Sequence, residues 1–162
     1  MSSGHDFNHK VALASGLRSL QSGRLRQAEE QFRYLVSKFP HHDGGYRGLA
    51  KVLVRLDDHA AALETLRAGA PALAKAGERQ GAITLLREAV QLAPCDLSAH
   101  RRLGAALALA GENDAAVVEY RRFIDEAVAA GDVERAKLEA RYAREMLPAS
   151  RDLTSLRDAA QG

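Results

Sequence analysis

Apolar residues recur at three- and four-residue intervals along most of the chain, in runs broken by short polar, glycine or proline stretches. That spacing puts one apolar stripe on each of a series of amphipathic helices. It predicts helices near 8–22, 25–39, 43–56, 59–76, 79–93, 97–110, 113–130 and 133–147, followed by a short one over 152–160 with Ser150 as its N-cap. In the first pair, Val11, Leu13, Leu17 and Leu20 line one helix and Ala28, Phe32, Leu35, Val36 and Phe39 the next. Gly23 stands between them, where a glycine past a helix end belongs, and Pro40 stops the second.

The breaks reveal a repeat. Shifting 43–96 by 54 residues onto 97–150 aligns Arg47 with Arg101, Leu49 with Leu103, Leu53 with Leu107, Ala62 with Ala116, Gly77 with Gly131, Ala82 with Ala136 and Pro94 with Pro148. Two duplicated three-helix units follow, behind a helix pair at 9–42 and ahead of a polar cap at 151–162, all within one domain. The middle helix of each unit must pack on both neighbours. Helix 59–76 is rich in alanine and glycine on every side, which permits that, but Pro71 predicts a kink or break between Arg67 and Pro71. His100 stands where the first unit has Tyr46, which predicts a packed, structural imidazole.

Residues 9–42, with Gly16, Gly23, Ala28, Phe32 and Pro40, resemble the 34-residue helix–turn–helix of the tetratricopeptide repeat family. The pattern restarts at 97 with Leu103, Gly104, Leu107, Gly111, Ala116 and Tyr120, and more loosely at 43 with Tyr46, Leu49, Ala50, Leu53, Ala62 and Leu66. The resemblance implies an all-α, right-handed helical-repeat solenoid of about eight antiparallel helices plus a short C-terminal capping helix. It also implies a concave groove lined by the first helix of each repeat. Carried over residue by residue, the groove positions are Lys10, Leu13, Ala14, Leu17 and Gln21, then Gly44, Arg47, Gly48, Lys51 and Arg55, then Ser98, Arg101, Arg102, Ala105 and Leu109. Of these, Lys10, Leu13, Leu17, Arg47, Lys51, Arg55, Arg101 and Arg102 are the candidate peptide-binding residues. Relatives that clamp a chaperone's C-terminal carboxylate carry lysine and asparagine where this chain has Leu13 and Leu17, so that mode is not expected.

Composition narrows the function further. The chain has 162 residues, 46% hydrophobic and 27% charged, with a net charge of +2. That is an ordinary globular balance, and the charge is too small to argue for nucleic acid. No signal sequence or membrane-length apolar run is present, so a cytoplasmic location is expected. Catalytic motifs are absent: "DGGYRG" lacks dinucleotide-loop spacing, and the single cysteine, Cys95, has no basic neighbour. Of the six histidines, His5 and His9 form the one i, i+4 pair, in an N-terminus expected to fray, while the adjacent His41 and His42 should diverge. No enzyme, metal site or cofactor is expected. The leading reading is a non-enzymatic scaffold or adaptor binding a protein or peptide segment, acidic in character because the groove's middle is basic. The alternatives are a dedicated chaperone for a secreted substrate and a homo-oligomeric assembly component associating through Leu13 and Leu17.

Overall fold

The computed structural model describes residues 2–147, the side chains of 2 and 3 excepted; the expected cap at 151–162 lies outside them. Among the described residues all regular structure is helical: α1 (Ser2–Gln21), α2 (Leu25–Lys38), α3 (Asp43–Arg55), α4 (His59–Lys75), α5 (Arg79–Leu92), α6 (Leu97–Leu109), α7 (Asn113–Ala129) and α8 (Val133–Met146). The fold class is the all-α helical repeat that the periodicity predicts, with boundaries within about two residues except at the start. There α1 begins at Ser2 rather than near 8, because His5 and His9 pack edge-on against Phe39 and give the first turns tertiary support. The N-terminus is therefore helical rather than frayed.

The helices group into two compact units, 1–92 and 93–162. In the first, each helix packs on its successor, α1 also touches α3, and α3 also touches α5. In the second, α7 packs on both α6 and α8. The first core is centred on Phe32, Leu35, Leu66, Leu73 and Leu85, the second on Leu103, Leu107, Tyr120, Phe123 and Ile124, all essentially without solvent exposure.

Three glycines set how closely the first unit's helices approach. Phe32 of α2 lies between Gly16 of α1 and Gly48 of α3; a Cβ at Gly16 would come within 2.9 Å of its ring, and one at Gly48 would overlap it. Gly69 does the same for α4, since a Cβ there would meet Tyr46 of α3 at 2.6 Å and Leu85 of α5 at 2.7 Å. One residue thus receives a side chain from each neighbour, which is how the middle helix packs on both. The break expected at Pro71 does not occur, and α4 runs unbroken through it. Pro71 is on the exposed side, so its ring displaces no packed neighbour.

Five of the connections share one closure. The backbone N–H groups of Arg24, Asp58, Glu78, Glu112 and Asp132 bond the carbonyls of Ser19, Leu53, Leu73, Leu107 and Ala127 at 2.8–2.9 Å, each reaching back five residues over a residue with positive φ. That residue is Gly23, Gly77, Gly111 or Gly131 at φ between 77° and 86°, but Asp57 at φ 63° between α3 and α4. A side chain in this region is strained by about 1 kcal/mol. Replacement of Asp57 by glycine is expected to raise the urea midpoint by an amount equivalent to up to about 1 kcal/mol; a fall would contradict the turn assignment.

Candidate functional site

In the first unit a groove of about 630 Å³ opens where the C-terminal end of α1 meets α3, α4 and α5. Its floor is apolar, from Leu20, Ala50, Val54, Leu66 and Leu92, and its rim is polar, from Gln21, Lys51, Arg55, Glu88 and Gln91. Ala50, the smallest of these floor residues, takes up little of the space that Leu20 and Leu66 also line.

Of the residues expected to bind, Lys51 and Arg55 line this groove. From α1 the lining residues are Leu20 and Gln21, not Lys10, Leu13 or Leu17. Lys10 and Leu17 are exposed on earlier turns, and Leu13 is half-buried with its methyl groups against Gly44 at the start of α3. Arg101 and Arg102 belong to the second unit, both exposed on α6.

The basic residues differ in how far they are already committed. Arg47 binds the Glu88 carboxylate through Nε at 2.6 Å and lies 3.5 Å from Asp43. Burial opposes its charge, yet these two carboxylates hold the guanidinium above its ordinary pKa. Arg55 donates to the Leu20 carbonyl at 2.6 Å, at the negative end of α1, and keeps further donors toward the groove. Lys51 is exposed and has no ion-pair partner among the described residues. The basic character expected of α3 therefore reduces, at the groove, to Lys51 and part of Arg55. Glu88 lies 41 residues from Arg47, a pairing that sequence spacing alone does not reveal.

The second unit repeats the arginine contact with its acid moved by one turn. Arg101, the counterpart of Arg47, pairs with Glu139 of α8 at 3.3 Å. Under the 54-residue shift Glu139 falls on Leu85 and Tyr142 on Glu88, so acid and apolar residue have exchanged places one turn apart. Burial raises the Glu139 carboxyl above its usual range, against the pull of Arg101 and Arg135. Tyr120, fully buried, has its phenol pushed up by burial, with Tyr142 and Glu139 adding to it.

His100 is a structural residue, as its alignment with Tyr46 predicts. Its Nε2 donates to the Pro94 carbonyl at 2.5 Å, and the Tyr46 hydroxyl donates to the Pro40 carbonyl at 3.0 Å, each six residues upstream. His100 Nδ1 lies 3.0 Å from the Glu119 carboxylate, which also takes Arg122. Cys95 is exposed, and the Glu126 carboxylate beside it raises its thiol pKa, the opposite of what a nucleophile needs.

The histidines at the other end of the first unit are not scattered. His9 stacks on His42 at 4.0 Å between ring centroids, His5 lies 6.4 Å from His42, and His5 and His9 both touch Phe39. His9 is buried, its Nε2 has no hydrogen-bond partner, and burial followed by the proximity of His42 lowers its pKa. The i, i+4 spacing of His5 and His9 is legible in the sequence; the return of His42 to the same place is not.

Two tetratricopeptide repeat models match the chain, over residues 19–75 and 67–127. Among solved structures the chain is similar to TTC0263, a thermophilic TPR protein of Thermus thermophilus, with 19% identity over 95% of this chain and 100% of that one and a TM-score of 0.35. It is similar also to MamA from Desulfovibrio magneticus RS-1, with 16% identity over 94% and 91% and a TM-score of 0.44. YrrB, described as a TPR protein with an unusual peptide-binding site, shows 15% identity over 91% and 90% and a TM-score of 0.35. A comparison with curated proteins finds no match. The repeat models span 19–127 between them, over a run of helices, and the chain belongs to the tetratricopeptide repeat family, whose repeats form protein–protein interaction modules.

Proposed function

We propose that the first unit's groove is the binding site of a non-enzymatic scaffold or adaptor, and that it takes a short protein segment carrying one apolar anchor flanked by acidic residues. Proteins of this family are in general non-enzymatic scaffolds, and no helix among the described residues is long and apolar enough to cross a membrane. The observation that carries the reading is the pairing of an apolar floor with Lys51 and Arg55 at the rim. Leu20, Val54, Leu66 and Leu92 offer area to a leucine-sized side chain, while Lys51 offers a charge that no described residue neutralises. Arg47 supports this arrangement rather than binding directly, because Glu88 already holds it and orients the rim.

A fluorescent peptide with a central leucine between glutamates is the probe. Its affinity, read by anisotropy, is expected to fall about tenfold in Lys51→Glu and to weaken steeply with salt, since an attraction has been turned into a repulsion. Unchanged affinity in that variant would remove the acidic-partner reading. Retention of an aggregation-prone, unfolded client instead of the peptide would favour a chaperone, and a concentration-dependent rise in scattering mass would favour a homo-oligomer.

A further inference from the structure

We propose that His5, Asp6 and His42 form a binding site for a divalent first-row transition ion, with Zn²⁺ as its probe. One ligand atom from each of these residues lies within 4.8 Å of the other two. Donors around tetrahedral zinc sit roughly 3.3 Å apart, given metal–ligand distances near 2.0–2.1 Å. The approach still needed is up to about 1.5 Å, within reach of a χ-angle adjustment by the exposed His5 and Asp6 side chains. Two imidazoles and one carboxylate are the donor set of zinc, nickel, copper and cobalt, not of the oxygen-seeking calcium and magnesium.

Independent features of the local structure point the same way. His42 occupies the N-cap of α3, a position that favours serine, threonine, aspartate or asparagine for capping, yet its side chain makes no cap bond and turns back to α1. His9 stacks on the His42 ring and is buried, with an Nε2 that has no partner. Phe39 walls the cluster on the α2 side. A desolvated imidazole nitrogen without a partner, as in His9, is costly in a purely structural role, and the stacked His9 ring helps fix the orientation of His42. The ion would tie the first turn of α1 to the α2–α3 connection, so binding would stabilise the fold as well as fill the site.

The test uses the full chain, freed of metal by chelator and dialysed. Added Zn²⁺ is expected to raise the thermal midpoint by several degrees and to be reversed by EDTA, with Mg²⁺ without effect. Co²⁺ is expected to give the visible absorption of a nitrogen- and oxygen-ligated ion. His5→Ala and Asp6→Asn alter exposed side chains of one turn and should keep the fold, checked by circular dichroism, while losing both responses; Phe7→Ala should keep them. The absence of any zinc response in the wild-type chain overturns the proposal. So does a response that survives in His5→Ala and Asp6→Asn, because the ion would then be bound elsewhere.

Discussion

His100→Phe is expected to cost about 3 kcal/mol of stability, a drop of roughly 6–12 °C in thermal midpoint for a chain of this size. Phenylalanine fills the volume but leaves two buried groups stranded. The Pro94 carbonyl loses its donor, and Glu119, 7% exposed, keeps only the partly exposed Arg122. Each loss has its own remedy in the first unit, where Tyr46 bonds the loop carbonyl and Thr65 stands at the position equivalent to Glu119. The double variant His100→Tyr/Glu119→Thr should therefore recover most of the loss. Urea unfolding of the single and double variants measures it; equal stability of His100→Phe and wild type would show that the histidine is a filler and not a brace.

Gly48→Ala is expected to destabilise by about 2–3 kcal/mol, even though alanine is the better helix former by about 1 kcal/mol. The added methyl would occupy the space of the Phe32 ring, which is fully buried and held from the far side by Gly16. Neither side can yield without separating α2 from α1 or α3. Gly81→Ala is the matched comparison: its Cβ would meet the end of the Leu73 side chain at 3.3 Å and the Asp43 Cβ at an ordinary 3.7 Å, so the helix-propensity gain should prevail. In a Phe32→Leu background the penalty at Gly48 should shrink by more than half, a coupling that a double-mutant cycle reads directly. Additive effects would mean that the glycine answers to something other than the ring.

Much of this architecture is legible without coordinates because it rests on local chemistry. Gly23, Gly77, Gly111 and Gly131 announce the turns that need positive φ, and the apolar spacing between them sets the helices. Even Asp57, which departs from the glycine pattern, keeps the same closure because aspartate tolerates that conformation better than most residues. What stays hidden depends on which distant faces meet. Arg47 reads as a free groove charge until Glu88 is brought against it, and His42 reads as a loop residue until α1 is extended to meet it. The break expected at Pro71 fails for a related reason: its penalty is local, but Gly69 two residues before it is packed by Tyr46 and Leu85 from both neighbouring helices, and that packing favours an unbroken helix.

The exchanged positions of acid and apolar residue on α5 and α8 bear on folding fidelity. A chain that contains the same helix twice risks joining the wrong copies, since α8 resembles α5 closely enough to compete for α4. In such a mispaired chain Glu139 would enter the notch at Gly69 that Leu85 fills, placing a carboxylate where Tyr46 offers only a ring edge. Tyr142 would meanwhile face Arg47, leaving that guanidinium without Glu88. A buried carboxylate without a partner costs several kcal/mol, so a displacement of one turn in a single carboxylate weighs against the mispaired arrangement.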